Sequence, residues 1–183
     1  MLNLIRILSK NLATILVVFL IASPTYAINS NNINIGDKAP YFELDGYSKN
    51  NPDKDLWKLS DFKGVWTVLY FYPKDFTSGC TIEARSFEKL SPEFEKLNAM
   101  IVGISNDIQE SHESFCSKES LSFTLLTDLQ GIVSEKYSSW NKPYSKRNTF
   151  LIDPEGVIRY SWMNVNPLKH PTDVLKKLTE LQV

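Results

Sequence analysis

The sequence contains few cysteines and histidines, the main ligands of zinc, and shows no basic surplus. It has two cysteines, Cys80 and Cys116, and two histidines, His112 and His170, in 183 residues. Such widely spaced residues do not resemble a zinc site, and a chain of this length needs no disulfide framework to fold. The formal net charge is −1 and no basic stripe is present, which argues against a nucleic-acid partner. We interpret both histidines as surface residues rather than bases.

No apolar run in the sequence has the length of a stable membrane span. The apolar stretch at 12–22 has 11 residues, whereas a helix needs about 20 to cross a bilayer. Two basic residues precede it and small residues follow it, so residues 1–27 have the three parts of a secretory signal peptide. We expect an exported protein, periplasmic or secreted, cleaved near Ala27 and without stable membrane association afterwards. An uncleaved anchor or a buried core helix is the alternative.

The rest of the chain is one domain in length. Residues 28–34 are rich in Asn and Ser and are interpreted as a flexible lead-in, and residues 35–183 as the folded domain. Loss of the signal, which carries two basic and no acidic residues, takes the formal charge from −1 to −3.

Hydrophobic periodicity predicts an alternation of strands and helices. The nearly continuous apolar run at 65–72 is typical of a central strand covered on both faces, and Pro73 ends it. Asn106 or Asp107 could cap the second helix. The predicted strands are 65–72, 100–105, 123–126, 149–152 and 157–162, and the predicted helices are 80–97, from the cap to 118, 131–137 and 171–181. The last two strands flank Asp153-Pro154-Glu155-Gly156, a type I turn sequence, and so predict a hairpin.

This order of elements predicts an α/β protein. A parallel strand pair joined by a helix, followed by an antiparallel hairpin and a closing helix, is the thioredoxin layout. We therefore expect a thioredoxin-like fold, with a central mixed sheet flanked by helices.

Cys80 lies at the start of the predicted helix that follows the central strand. The carboxyl end of such a strand opens into the usual crevice of an α/β sheet. The first turn of the helix offers unpaired N–H groups and the positive end of the helix dipole. Both favour a thiolate, which is the nucleophilic form of cysteine. Thr77 lies three residues before Cys80, where a thioredoxin-type exchange motif has its second cysteine. Its hydroxyl can bond the sulfur and a bound oxygen ligand, and Pro73 would shield the thiolate from water.

These residues resemble the active-site pattern of the peroxiredoxin family, Pro-x-x-x-Thr/Ser-x-x-Cys, in its bacterioferritin comigratory protein or PrxQ subfamily. The resemblance extends over about 35–181 and includes the segments 36–40, 59–61, 70–75, 79–81 and 149–153.

The resemblance also implies an arginine on a distant strand. Arg147 occupies that position, and its planar fork can hold both a thiolate and a peroxide oxygen. Lys146 beside it is the weaker candidate because it is a strongly hydrated point charge. Glu83 matches a further family position, where it orients the arginine or complements the helix dipole.

The implied activity is thiol-dependent reduction of hydrogen peroxide and organic hydroperoxides through a sulfenic acid on Cys80. The resemblance implies no metal or organic cofactor, and it favours a monomer. The reductant would be a thioredoxin-like protein or a small thiol.

The sequence departs from the subfamily pattern at the resolving cysteine. Many members carry it five residues after the first cysteine, where this chain has Arg85. Cys116 falls on the predicted second helix, where some members carry it, and would close an intramolecular disulfide with Cys80. The alternatives are a buried core cysteine and a permanent structural disulfide, the usual pairing in an oxidising compartment.

Two other functions share the export signal and the fold. One is a periplasmic thiol–disulfide carrier of the TlpA type, against which the absence of a cysteine at position 77 argues. The other is a non-enzymatic thioredoxin-fold binding domain, which the joint presence of Pro73, Thr77, Cys80 and Arg147 disfavours.

Overall fold

The computed structural model describes residues 33–183, so the predicted signal and most of the predicted lead-in lie outside the described residues. The strands of this range are β1 (Glu43–Tyr47), β2 (Leu56–Lys58), β3 (Trp66–Phe71), β4 (Ala99–Ser105), β5 (Thr124–Thr127), β6 (Trp140–Asn141), β7 (Tyr144–Ser145), β8 (Thr149–Ile152) and β9 (Ile158–Trp162). The α-helices are α1 (Ser78–Lys96), α2 (Gln109–Glu119), α3 (Ile132–Lys136) and α4 (His170–Leu181), with a 3-10 helix at Leu59–Phe62. No helix within 33–183 combines the length and apolarity of a membrane span.

Seven strands form one mixed sheet in the order β2-β1-β5-β4-β3-β8-β9, while β6 and β7 form a separate hairpin. β3, β4 and β5 are parallel to one another, whereas β8 and β9 add to the sheet as antiparallel strands. This arrangement confirms the predicted α/β thioredoxin-like fold with a central mixed sheet.

The central position of β3 explains its apolar sequence. Its alternating side chains enter two different cores, because successive residues of a strand point to opposite faces. Val68 and Tyr70 pack with side chains of α1, α2 and α4, whereas Leu69 and Phe71 pack with α3 and the 3-10 helix. With both faces covered, the strand carries apolar residues at consecutive positions.

The turn between β8 and β9 follows the predicted type I chemistry. The Gly156 N–H donates to the Asp153 carbonyl at 2.9 Å. An Asp153 carboxylate oxygen also accepts from the N–H groups of Glu155 (3.1 Å) and Val157 (2.8 Å). Gly156 has φ +77°, a backbone conformation that glycine adopts without steric cost.

The predicted cap of the second helix was wrong. α2 begins after Ile108, whose side chain cannot cap it, rather than after Asn106 or Asp107. The Asp107 carboxylate instead accepts from the Asp75 N–H at 2.8 Å and from the Ser105 hydroxyl at 2.7 Å. A local capping rule cannot anticipate this, since Asp75 is distant in the sequence. Sequence periodicity also missed β1, β2 and the β6–β7 hairpin, which are short and carry no strong alternation.

The prediction that His170 is a surface residue was also wrong. His170 is 3% exposed at the start of α4, and its Nε2 lies 2.7 Å from the Thr149 hydroxyl oxygen. Its ring packs edge-on against Trp162, with centroids 5.3 Å apart. Burial lowers the pKa of His170 to about 4, although the Asp173 carboxylate acts in the opposite direction. His170 is therefore a neutral core residue at physiological pH.

We predict that this burial makes folding sensitive to acid. In the unfolded chain the imidazole takes up a proton below about pH 6.5, whereas in the fold it does so only near pH 4. The contribution of His170 is therefore complete above pH 6.5 and declines as the pH falls towards 4, by about 2–3 kcal/mol. Denaturant unfolding of wild type and His170→Gln between pH 7 and 4 should show the wild type losing stability relative to the variant. A pH-independent difference would contradict this assignment.

Candidate active site

Cys80 lies in the first turn of α1, immediately after the loop that follows β3. The first hydrogen bond of the helix runs from the Thr81 N–H to the Thr77 carbonyl at 2.9 Å. The N–H groups of residues 78–80 therefore have no partner inside the helix and give this end its positive polarity. Cys80 itself is 2% exposed. The fold thus places a nearly buried sulfur where the local field favours negative charge.

Two predicted residues contact this sulfur. The Thr77 hydroxyl lies 2.8 Å from Sγ of Cys80 and 3.0 Å from the Lys74 carbonyl, so its single proton can serve either acceptor. Arg147 donates from Nη2 to the same sulfur at 3.2 Å. Within residues 33–183, Arg147 is the cationic side chain that hydrogen-bonds Cys80, and Lys146 does not. Pro73 lies half-buried at the start of the loop, and its predicted shielding of the sulfur stays a prediction.

Strand pairing brings Arg147 to Cys80. β8 runs antiparallel to β3, and the Phe71 N–H donates to the Asn148 carbonyl at 2.8 Å. Arg147, which precedes β8, is therefore adjacent to the carboxyl end of β3. Gly79 permits the approach, because a Cβ there would lie 2.9 Å from Nη2 of Arg147.

Glu83 anchors the guanidinium from the second turn of α1. Its Oε2 accepts from Nη1 of Arg147 at 2.8 Å, and the side chain is 1% exposed. Burial raises the pKa of Glu83 to about 7, while Arg147 acts in the opposite direction. The other oxygen, Oε1, has no hydrogen-bond partner in the part of the chain that the structure describes. The ion pair leaves Nη2 directed at the sulfur, so Glu83 orients the arginine.

Cys116 is fully buried on α2. Both cysteines are free thiols, and they belong to the same apolar core. Burial raises the pKa of Cys116 to about 12, and the nearby Asp75 carboxylate acts in the same direction. Because the thiolate is the nucleophilic form, Cys116 cannot act as a nucleophile from this position near neutral pH. The permanent disulfide considered from the sequence is absent from this conformation.

A buried polar network beside the two cysteines was not predicted. The Asp75 carboxyl group accepts from the hydroxyls of Tyr72 at 2.7 Å and Ser111 at 2.8 Å, and it lies 2.9 Å from Nδ1 of His112. The side chains of both Asp75 and His112 are 0% exposed. The prediction of a surface His112 was therefore wrong. The four-residue spacing of His112 and Cys116, which puts both on one helix face, was the available signal.

The site is built from thiol, hydroxyl and guanidinium groups. Within residues 33–183, no group of three or more His, Cys, Asp or Glu side chains could hold a metal ion. The arrangement can hold a thiolate and can stabilise negative charge on an oxygen that approaches it, through Arg147, Thr77 and the free N–H groups of the helix.

Comparison with known proteins agrees with this chemistry. The AhpC/TSA family model matches residues 35–161. Peroxiredoxin Bcp of Bacillus subtilis is 41% identical over 157 residues, which cover 81% of this chain and 97% of that protein. The chloroplastic peroxiredoxin Q of Populus jackii is 37% identical, with 81% of this chain and 70% of that protein covered.

Solved structures show the same relationship. A cysteine-to-serine mutant of PrxQ from Xylella fastidiosa superposes with a TM-score of 0.76 at 33% identity, covering 84% of this chain and 99% of the other. AhpC of Mycobacterium tuberculosis superposes with a TM-score of 0.72 at 28% identity, covering 82% and 93%. The chain therefore belongs to the AhpC/TSA family, as a peroxiredoxin of the Bcp and PrxQ type.

Proposed function

We propose that this thiol peroxidase reduces hydrogen peroxide and organic hydroperoxides at Cys80 and resolves the product with Cys116. One observation carries the first half of the proposal: Thr77 and Arg147 converge on a single buried sulfur at a helix N-terminus. Donors held in this way also surround the position that an attacked oxygen would occupy, where charge develops in the transition state.

The peroxide step follows from these positions. The Cys80 thiolate attacks one peroxide oxygen, a sulfur–oxygen bond forms, and the oxygen–oxygen bond breaks. The other oxygen takes a proton and leaves as water or an alcohol, and Cys80 becomes a sulfenic acid. Arg147 and Thr77 stabilise the negative charge that develops on the two oxygens. Glu83 keeps the guanidinium in place through this step.

An open cleft beside the site supports the inclusion of organic hydroperoxides. It measures about 510 Å³ and is lined by apolar side chains that include Trp162, Val165 and Leu168. It borders the catalytic residues, because the Val165 N–H donates to the Arg147 carbonyl at 2.9 Å. The alkyl group of a hydroperoxide could lie against these apolar side chains, with Lys169 and Asp173 also lining the cleft.

The second half of the proposal concerns the resolving step. The Cys116 sulfur attacks the Cys80 sulfenic acid, a sulfur–sulfur bond forms, and the hydroxyl group leaves as water. The dithiol of a thioredoxin-like protein, or two molecules of a small thiol, then reduces the disulfide and leaves as a disulfide itself. Because Cys116 is buried and protonated in the described conformation, local unfolding must expose it first. The TlpA-like carrier and the non-enzymatic domain are not favoured, since neither requires Arg147 at the sulfur.

We further propose that the protein is exported and acts as a monomer. Export rests on the three-part signal in residues 1–27, which lie outside the described residues, and the monomer rests on the subfamily resemblance. The folded domain would begin near residue 35.

Replacement of each cysteine should separate the two half-reactions. Cys80→Ser should abolish peroxide consumption because it removes the nucleophile. Cys116→Ser should react with one equivalent of peroxide and then stall or overoxidise, because no second thiol is present. Mass spectrometry of wild type after one equivalent should show a Cys80–Cys116 disulfide. Turnover by Cys80→Ser would refute the peroxidase site, whereas a lasting sulfenic acid in wild type would refute only the resolving role.

Arg147→Ala should slow the peroxide step by about 10²-fold, the usual loss for a main oxyanion donor. The rate constant can be measured by stopped-flow fluorescence on the reduced protein at several peroxide concentrations. Lys146→Ala is the matched control, since it removes the neighbouring charge from a side chain that does not bond the sulfur. A larger loss in the control would assign the role to the wrong residue.

Expression of the full chain in a bacterial host should give a protein that lacks residues 1–27 outside the cytoplasm. The measurement is the intact mass of the protein from the periplasmic and cytoplasmic fractions. Replacing both Arg6 and Lys10 by Glu is the control, because it removes the basic segment that a signal requires. An uncleaved chain confined to the cytoplasm would refute export.

A further inference from the structure

The Asp75 carboxyl group is the hub of a network that joins the loop before Cys80 to the helix that carries Cys116. Asp75 lies in the loop between β3 and α1, five residues before Cys80. Two of its three side-chain partners, Ser111 (2.8 Å) and His112 (2.9 Å), lie on α2, one turn before Cys116. Since a carboxylate can only accept, Nδ1 of His112 carries the proton in this pair. A buried carboxyl group is costly unless such donors surround it, so these bonds depend on one another.

Further contacts join α1 and its preceding loop to α2, one immediately before Cys116 and one after it. The ring of Phe76 packs edge-on against Phe115, with centroids 5.1 Å apart. Arg85, in α1, forms an ion pair with Glu119, near the end of α2. The loop and the start of α1 are therefore fastened to α2 both before and after Cys116.

The fastened loop carries backbone strain. Phe76 has φ +61°, in the left-handed region that a bulky side chain adopts only when its surroundings impose it. Its neighbour Asp75 is fixed through both its carboxyl group and its N–H, which donates to Asp107 at 2.8 Å. Release of Asp75 would let this backbone relax, so the network holds the loop in a conformation that it would not keep alone.

We propose that Asp75, Ser111 and His112 form a latch that makes the Cys80 segment and α2 open together. The proposal rests on the resolving role of Cys116 given above. While the latch is closed, Cys80 keeps its donors and Cys116 stays buried. When the latch opens, both cysteines are released and the disulfide can form. These three are positioning residues, because none of them touches the peroxide or the reacting sulfur atoms.

The latch sets the outcome of a competition. A sulfenic acid that waits in the closed site can attack a second peroxide: its sulfur gains an oxygen to give a sulfinic acid, and water or an alcohol leaves. Opening of the latch diverts the same sulfenic acid to the disulfide. A tighter latch therefore favours overoxidation, and a looser one favours resolution, without a change in the first attack on peroxide.

Ser111→Ala tests the latch with the smallest change, since it removes one hydrogen bond from Asp75 and almost no volume. Rapid mixing with one equivalent of hydrogen peroxide, followed by acid quench and mass spectrometry, measures disulfide formation separately from the peroxide step. We expect disulfide formation to be about fivefold to tenfold faster, the effect of removing one hydrogen bond to the buried Asp75 carboxyl group from the closed state. The peroxide step should change less than twofold. The peroxide concentration that overoxidises half the protein during turnover with dithiothreitol should rise by the same factor as the resolving rate.

Ser134→Ala is the control, because it also removes one serine hydroxyl from a helix. Ser134, in α3, is fully buried and bonds Ser145 of β7 at 2.8 Å, next to residues of the core cluster that contains neither cysteine. If Ser111→Ala and Ser134→Ala both resolve at the wild-type rate, the latch is overturned while the proposed function stands. If wild type forms no Cys80–Cys116 disulfide, the resolving role of Cys116 and the latch are both overturned, while the peroxidase role of Cys80 stands.

Hydrogen exchange on the reduced protein tests the coupling without any peroxide chemistry. In Ser111→Ala, the amides of 73–85 and 109–119 should exchange faster by the same factor. His112→Phe should increase this factor further. It removes the bond from Nδ1 to Asp75 (2.9 Å) and the longer contact of Nδ1 with the Tyr72 hydroxyl (3.4 Å), which belongs to the same network. Nε2 of His112 has no partner within residues 33–183. Faster exchange of 109–119 alone, in either variant, would overturn the common opening.

Discussion

The Arg147 guanidinium is the contact on which the site depends. It donates one hydrogen bond to Glu83 and another to the Cys80 sulfur, and so joins two turns of α1 to the segment that precedes β8. Arginine suits this place because its planar fork presents both donors in fixed relative positions and keeps its charge when it is partly buried. Without this contact, the buried sulfur would have only the helix N-terminus and a threonine hydroxyl to favour its charged form.

The arrangement imposes opposite demands on the two cysteines. Cys80 requires donors at a helix N-terminus, and the fold supplies them in the described conformation. Cys116 is held as a neutral thiol in the apolar core, because burial and the Asp75 carboxyl group both disfavour its thiolate. A single rigid structure cannot satisfy both steps of the proposed reaction. The described conformation therefore suits the attack of Cys80 on peroxide, whereas disulfide formation with Cys116 depends on local opening.

This arrangement lowers stability at several buried polar groups of the core. Glu83 is almost fully buried, and one of its oxygens lacks a partner within residues 33–183. Asp75 and His112 are buried together, and Phe76 has a strained backbone. Such features weaken a structure locally, and here they lie around the two cysteines, where motion is needed. Packing of the apolar strands β3, β4 and β8 stabilises the fold and so allows these unfavourable features around the cysteines.

The sequence by itself determined the fold class and the neighbourhood of Cys80. The apolar run of β3, the amphipathic pattern of α1 and the hairpin turn at 153–156 are local signals, and each matches the structure. Thr77 could be placed beside Cys80 because residues three apart at a helix start are neighbours. Arg147 was predicted from the family resemblance, and the antiparallel pairing of β3 with β8 is what brings it to the sulfur.

Only the tertiary structure decided the surroundings of the polar side chains. The expectations failed at His112, His170 and Asp107, three residues that are usually exposed or act as local caps. Their burial and their partners depend on segments far away in the chain: Asp75 for His112 and Asp107, and Thr149 for His170. A sequence pattern reports which residues share a face of an element, but which donor meets which acceptor across elements is settled only when those elements pack. The same reason explains why the sequence could propose Cys116 as a partner of Cys80 but could not reveal that it lies buried and protonated.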